Sequence, residues 1–266
     1  MPDFPRLPAD AAVSDERRRF PLAEVTLDAA GGTVTGHHYP ANFDVLHVDA
    51  SLPFAAVADG MGAGEGSRLA GTTAMGTLVA QVRAAWPTVD PRRLRTAVAQ
   101  VQSTVRTAGS GLTELTGCTL TALLVEPDGG QAWLVQLGDS RAYRLRDGLL
   151  ELITTDHTVA WLGVLHGWYP ADSTAAARAR YQLTRYVGHP GEPEADLLAV
   201  SLRPGDVWLL CTDGVSDQVD YQQIRELLAT PRPDEAVQAL LAATIRAGGA
   251  DNATAVVVRV HPAPAR

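Results

Sequence analysis

Five aspartates of this 266-residue chain stand at the ends of short apolar segments. Apolar runs lead into Asp59, Asp139 and Asp213. Similar runs begin just after Asp44 and Asp251. Short apolar runs bounded by turn residues are typical of buried strands. Because the end of one antiparallel strand lies beside the start of its neighbour, we expect the five carboxylates to gather at one edge of a sheet.

Clustered carboxylates need a source of positive charge. Acidic side chains are almost never buried unless they are paired or bound to metal. Too few basic residues accompany these segments to neutralise the cluster, and the pattern therefore indicates a divalent metal site. At any one position the alternative is an ordinary turn, because Asp-Gly is a common turn signal. For Asp139 the alternative is an ion pair with Arg141.

Composition is typical of a globular chain and argues against two classes of protein. The formal net charge of −8 gives no basic field to attract nucleic acid. No apolar stretch approaches the roughly 18 residues of a membrane span, and no targeting signal opens the chain, which predicts a protein of the cytoplasm that does not associate with membranes. Cys118 and Cys211 lie in apolar segments and are expected to be buried thiols rather than a disulfide.

The pattern of apolar and turn residues predicts a mobile leader over residues 1–20 and one domain over 21–262. The predicted strands are 22–28, 45–49, 53–58, 118–126, 131–137, 141–146, 149–154, 196–201, 206–211 and 253–260. The predicted helices are 66–85, 91–108, 175–181, 221–229 and 234–247. Asp90 followed by Pro91 is a favourable start for the second of these helices.

Several motifs occur in an order that resembles a known family, the metal-dependent serine/threonine protein phosphatases of the PPM, or type 2C, family in its bacterial form. The similarity extends from about residue 42 to residue 258. The motifs are VADGMG at 57–62, EGS at 65–67, GCT at 117–119, LGDSRAY at 137–143, TDH at 155–157, LTRYVG at 183–188, CTDG at 211–214 and DNAT at 251–254. Each motif is weak alone, but their number and order make the resemblance specific.

This resemblance implies an α+β fold in which two antiparallel sheets form a β-sandwich between helices, in four layers, with a flap at about 157–187. It implies hydrolysis of phosphoserine and phosphothreonine in proteins by a water molecule that bridges two divalent ions, Mn²⁺ or Mg²⁺. The expected partner is a phosphorylated protein substrate, and the activity would oppose a serine/threonine kinase. A monomer is expected.

The resemblance also assigns the metal ligands. Asp59 would bridge two ions, and the backbone carbonyl of Gly60 would bind one of them. Asp213 and Asp251 would complete the ligands of the other ion. Asp139, together with Asp213, would bind a weaker third ion.

Other positions either match the family or depart from it. Asp44, Asn42 and Asn252 would orient water molecules bound to the metals; for Asn252 the alternative is an ordinary turn residue. The family usually has an acidic residue where this chain has Phe43, and an arginine that grips the substrate phosphate where it has Tyr39.

Histidines and aromatic residues leave further alternatives open. His38 or His37, as an imidazolium, could replace the missing arginine, or both could lie in a surface loop. His157 is expected to form a structural hydrogen bond in its turn. The flap aromatics would form either a small local core or a docking surface for protein; they are Trp161, Trp168 and Tyr169.

Two functional alternatives to a protein phosphatase remain at this point. The first is a degenerate phosphatase fold that binds a partner or a phosphoprotein without turnover. The second is an enzyme of the same fold that acts on small phosphate esters or on a regulator of the anti-sigma-factor kind. The complete set of metal-ligand aspartates favours catalysis over the first alternative.

Overall fold

The computed structural model describes residues 12–13 and 17–263. Its strands are β1 (Ala12–Val13), β2 (Arg18–Pro21), β3 (Val25–Val34), β4 (Val45–Val48), β5 (Phe54–Ala58), β6 (Leu120–Val125), β7 (Gln131–Leu137), β8 (Arg141–Arg146), β9 (Leu149–Leu152), β10 (Asp196–Ser201), β11 (Val207–Cys211) and β12 (Ala253–Pro262). Its helices are α1 (Glu65–Ala85), α2 (Pro91–Gly109), α3 (Val159–Leu165), α4 (Thr174–Ala179), α5 (Asp213–Ser216), α6 (Tyr221–Leu228) and α7 (Pro233–Arg246).

The strands form two antiparallel sheets. The first has the order β1-β3-β12-β11-β8-β9, with β2 also paired to β3. The second has the order β10-β7-β6-β5-β4. Buried side chains from both sheets share one apolar layer, in which Val57 and Leu134 of the second sheet join Leu210 and Val258 of the first. The two sheets therefore pack face to face, as the resemblance predicted.

Helices cover the outer face of each sheet. Leu240 of α7 is buried in one cluster with Val257 of β12. On the other side, Leu78 of α1 and Val101 of α2 are buried in one cluster with Leu120 of β6. The fold thus has four layers, helix–sheet–sheet–helix, and this prediction is confirmed.

The start of α2 follows the sequence-based expectation. The Asp90 side chain accepts a hydrogen bond of 2.9 Å from the backbone N–H of Arg93, and Pro91 opens the helix. An aspartate cap satisfies one of the backbone donors left free at a helix start, and proline lacks the N–H that would be unpaired there.

The largest differences from the predicted boundaries are at the N-terminal end of the fold. Strand β3 continues to Val34 rather than ending at residue 28, because β12 pairs with it over its whole length. The mobile leader was predicted to end at residue 20, but Arg18–Pro21 and Ala12–Val13 are strands paired to β3. The remainder of the predicted leader, residues 1–11 and 14–16, lies outside the described residues.

The flap segment, residues 157–187, contains two short helices where the sequence predicted one. Helix α3 was missed because its apolar sequence VAWLGVL shows no helical spacing of apolar and polar residues. The Thr158 side chain caps α3, and the Ser173 side chain caps α4. Both ends of the segment meet at a bridge between Thr158 and Leu183.

Candidate metal centre

Strand register brings the five aspartates to one edge of the sandwich. In the second sheet Val45 pairs with Ala58, so that Asp44 stands beside Asp59. In the first sheet Cys211 pairs with both Ala255 and Arg141, so that Asp213 lies near the neighbouring starts of β12 and β8. Asp251 precedes β12 and Asp139 precedes β8, which completes the cluster.

A cavity of about 330 Å³ opens at this edge. Its wall includes Asp59, Asp139, Asp213 and Asp251, together with Tyr39. A larger cavity of about 550 Å³ lies between α1 and α2, but its wall holds a single carboxylate. The chemistry of the residues therefore favours the smaller cavity as the functional site.

Only one of the two carboxylate oxygens of Asp44 forms hydrogen bonds within the described part of the protein. Its Oδ2 atom accepts hydrogen bonds from the hydroxyls of Thr212, at 2.8 Å, and Thr254, at 2.7 Å. Its Oδ1 atom is buried without a hydrogen-bond partner. Burial raises the pKa of Asp44 to about 7, against the two threonine hydrogen bonds. Asp213 likewise has a buried Oδ1 atom without a partner.

The other carboxyl groups also resist ionisation. Burial and the charges of Asp44 and Asp213 raise the pKa of Asp59 well above its usual value. Burial raises the pKa of Asp139 to about 8, and burial followed by the charge of Asp213 raises that of Asp251 to about 6. The cluster is therefore electrostatically incomplete without cations.

The donor set fits hard divalent cations such as Mn²⁺ and Mg²⁺. It consists of oxygen atoms, and the orphaned Oδ1 atoms of Asp44 and Asp213 are buried where a cation or its water would satisfy them. Across residues 12–13 and 17–263, no group of three or more acidic, histidine or cysteine side chains is arranged so that it could hold a metal ion by itself. Because these cations keep several water ligands, an open arrangement with few protein ligands is compatible with binding.

Two glycines allow the chain to approach this edge closely. A Cβ atom on Gly60 would lie 2.7 Å from the carbonyl oxygen of Ser67 and 2.9 Å from that of Phe43. A Cβ atom on Gly214 would lie 1.9 Å from the carbonyl oxygen of Asn252. No larger residue fits either position without moving backbone, which explains glycine after Asp59 and Asp213.

Hydroxyl residues that the sequence analysis missed hold the aspartates in place. The Thr119 hydroxyl accepts from the backbone N–H of Asp59 at 2.9 Å and lies 2.7 Å from the Ser140 hydroxyl. Thr212 and Thr254 hold Asp44, as described above. The available signal was position, since each of these threonines lies in a motif beside a strand end.

Both asparagines form hydrogen bonds to residues of the loop between β3 and β4. Asn42 donates to the Thr33 hydroxyl at 2.7 Å and accepts from the backbone N–H of Asp44 at 3.0 Å. Asn252 accepts from the backbone N–H of Phe43 at 2.7 Å and donates to the Ala41 carbonyl at 3.2 Å. Asn252 also lines the cavity, which Asn42 does not.

The residues considered for phosphate binding separate into two groups. Tyr39 lines the cavity, and the charge of Asp251 together with burial raises the pKa of its phenol. His37 and His38 are exposed, and neither belongs to the cavity wall.

The structure decides one alternative left open by the sequence and meets two of its expectations. Arg141 forms its ion pair with Asp156, at 2.6 Å, rather than with Asp139. His157 makes the structural hydrogen bonds expected of it: its Nδ1 accepts from the backbone N–H of Gly138 at 3.1 Å, and its Nε2 lies 3.1 Å from Asp196. Cys118 and Cys211 are buried and free, as expected.

The flap aromatics do not form the local core that the sequence favoured. Trp161 is 45% exposed and Trp168 is 63% exposed. Tyr169 alone turns inward, and its hydroxyl donates to the Val159 carbonyl at 2.8 Å. Leu165 and Tyr181 are exposed in the same segment.

Comparison with known proteins gives similar phosphatases from mycobacteria, one of them also as a solved catalytic domain. The serine/threonine protein phosphatase PstP of Mycobacterium tuberculosis is 40% identical over 145 residues, which are 54% of this chain and 27% of that protein. The PPM Ser-Thr phosphatase MsPP of Mycobacterium smegmatis, solved with cacodylate, is 35% identical with a TM-score of 0.77, covering 87% of this chain and 97% of that one. The catalytic domain of PstP, solved with two manganese ions, is 32% identical with a TM-score of 0.78, covering 89% and 99%.

Two further findings concern the chain as a whole. In the part that the structure describes, no helix is both long enough and apolar enough to cross a membrane. The model of the protein phosphatase 2C family matches residues 42–252, the span that holds all five aspartates. This chain belongs to the protein phosphatase 2C, or PPM, family.

Proposed function

We propose that this chain hydrolyses phosphoserine and phosphothreonine in proteins with the aid of Mn²⁺ or Mg²⁺. The observation that carries the proposal is the pair of buried carboxylate oxygens, Asp44 Oδ1 and Asp213 Oδ1, that have no partner in the protein. A relative solved with two manganese ions supports the choice of metal. Asp59, Asp213, Asp251 and the Gly60 carbonyl would hold two ions, and Asp139 would help to hold a third.

Divalent ions would lower the pKa of water and neutralise charge on the phosphoryl oxygens. The protein residues would position the reactants. Asp44 is fixed through its Oδ2 atom by Thr212 and Thr254, and its Oδ1 atom, which has no partner among the described residues, would accept a hydrogen bond from a water molecule bound to the metal. Because water is the nucleophile, no phosphoenzyme is expected.

Tyr39 would contact the substrate phosphate. Its raised pKa keeps the phenol protonated near neutral pH, where it can donate one hydrogen bond. A single neutral donor is weaker than the two parallel charged donors of an arginine. We therefore expect weak binding of small phosphate esters, with the rest of the affinity supplied by contacts between a protein substrate and the flap segment.

Catalysis is favoured over binding without turnover, because the aspartates expected as ligands all reach the same sheet edge. By analogy with the named activity of its relatives, the substrate would be a phosphoprotein, and the enzyme would oppose a serine/threonine kinase. A monomeric state and a cytoplasmic location stay predictions from the sequence.

The test is hydrolysis of a phosphothreonine peptide and of p-nitrophenyl phosphate with Mn²⁺, with Mg²⁺ and with EDTA. We expect metal-dependent release of phosphate and a clear preference for the peptide in kcat/KM. Binding of the peptide without phosphate release in either metal would favour the degenerate alternative. A preference for the small ester would favour the second alternative.

A further inference from the structure

The described residues that line the cavity at the sheet edge include no basic residue. Among the described residues that line it, the charged side chains are all acidic: Asp59, Glu114, Asp139, Asp213 and Asp251. Metal ions would supply positive charge on one side of a bound phosphate. Recognition of a phosphate dianion commonly uses an arginine as well, because the guanidinium donates two parallel hydrogen bonds.

A narrow cleft adjoins the cavity and shares Asp139, Tyr181 and Asp213 with it. Two arginines line this cleft, Arg141 and Arg180. Among the described residues that line the cleft, these two are the positively charged ones.

Arg141 is not available to a substrate. Its Nε donates to Asp156 Oδ1 at 3.0 Å, and a second guanidinium nitrogen donates to Asp156 Oδ2 at 2.6 Å. A third nitrogen donates to the Tyr143 hydroxyl at 3.2 Å. Arg141 begins β8, and its side chain is only 23% exposed, so this ion pair is part of the framework.

Arg180 is held far less firmly. It immediately follows α4 in the flap segment, and its side chain is 39% exposed. Within the described residues its guanidinium makes one hydrogen bond, to Asp217 Oδ1, and lies 5.7 Å from the ring centroid of Tyr181. Most of its five N–H donors are therefore free to bind an anion.

Asp217 links Arg180 to the metal centre. The backbone N–H of Asp217 donates to the carbonyl oxygen of Asp213 at 2.7 Å, across one turn of α5. The carboxylate that holds the guanidinium thus lies one helical turn from an expected metal ligand. A phosphate bound at the metals would compete with Asp217 for the same guanidinium.

We propose that Arg180 is the phosphate-binding cation of this enzyme, released from Asp217 by the substrate, and that it replaces the arginine absent at position 39. This proposal rests on the proposed function. The flap segment would then contribute a charged contact to the phosphate itself, in addition to contacts with the substrate protein. The Asp217 carboxylate holds the guanidinium close to the site in the absence of substrate.

The test uses four variants, with KM and kcat for a phosphothreonine peptide and the affinity for inorganic phosphate measured by calorimetry in Mn²⁺. Arg180→Ala should raise both KM and the phosphate Kd by about tenfold to a hundredfold, the scale of hydrogen bonds to a charged group. Arg180→Lys should fall between it and the unmodified enzyme. Arg178→Ala removes one charge from an exposed position of the same helix and should change neither value.

The Asp217→Asn variant distinguishes phosphate binding by Arg180 from a purely structural role of the Arg180–Asp217 ion pair. If Arg180 binds phosphate, removing its competitor should lower KM and the phosphate Kd, the opposite of Arg180→Ala. If the ion pair only stabilises the flap segment, Asp217→Asn and Arg180→Ala should weaken binding alike, and that result would overturn the proposal. An unchanged phosphate Kd in Arg180→Ala would also overturn it. Should the unmodified chain bind phosphate in an Arg180-dependent way without hydrolysis, the proposed function fails while this assignment stands.

Discussion

Tyr39 and Phe43 pack edge to face, with ring centroids 6.3 Å apart and ring planes at 75°. The family resemblance leads us to expect an arginine at the first of these positions and an acidic residue at the second. Phe43 is buried, and its backbone N–H is fixed by Asn252. On that expectation an aromatic pair would stand in place of a charged pair, and the two residues form one contact.

This contact leads to a prediction for Tyr39→Arg. The new guanidinium should lower the KM for p-nitrophenyl phosphate about tenfold, because a charged donor replaces a neutral one. Adding Phe43→Glu should lower it further, since the carboxylate would orient the guanidinium. Steady-state kinetics of the two single variants and the double variant measure the effect. An unchanged KM in both Tyr39→Arg and the double variant would show that position 39 does not contact the phosphate.

The raised carboxyl pKa values predict how metal-free stability depends on pH. The pKa of Asp44 is about 7 and that of Asp139 about 8 in the folded chain, above the unfolded value of about 4. The folded state therefore holds these protons more tightly than the unfolded state. Its stability should fall as pH rises from about 5, by up to about 1.4 kcal/mol per pH unit for each group, and the decline should level off above about pH 8.

Thermal melts in EDTA across that pH range test this expectation. Mn²⁺ should remove the decline, because bound metal stabilises the ionised carboxylates. Asp139→Asn should make the decline of melting temperature with pH shallower, since it removes the carboxyl group with the higher of the two pKa values. A melting temperature in EDTA that rises with pH over this range would contradict the account of the cluster.

Asp139 should differ in role from the other aspartates. If it holds only a weaker third ion, Asp139→Ala should slow turnover while two tight Mn²⁺ ions still bind. Calorimetric titration with Mn²⁺ measures the number of binding events. Loss of every event would place Asp139 among the ligands of the tight pair.

Sequence reasoning located the strand ends well because apolar runs and turn residues mark them locally. The aspartates therefore came together as expected once the antiparallel pairing was assumed. Thr212 and Thr254 were missed as supports for Asp44, because their contacts span 168 and 210 residues of sequence. No local pattern records which side chains meet across such a separation.

The flap segment was the least predictable part of the fold. Its helices α3 and α4 have seven and six residues, too few for a periodic pattern to stand out. The exposure of Trp161 and Trp168 reverses the usual preference of large aromatics for burial. The contact of Arg180 with Asp217 joins residues 37 positions apart in sequence, which no local pattern predicts.

The central claim is that Asp213 holds a divalent ion required for hydrolysis. Asp213→Asn keeps the shape of the side chain and removes its charge, while Asp147→Asn removes a carboxylate from an exposed hairpin turn and serves as the control. The decisive measurement is kcat/KM of both variants on a phosphothreonine peptide in Mn²⁺. We predict a loss of about 100-fold or more for Asp213→Asn, equivalent to about 2.7 kcal/mol, and no loss for the control. An unchanged rate in Asp213→Asn would contradict the metal-dependent mechanism.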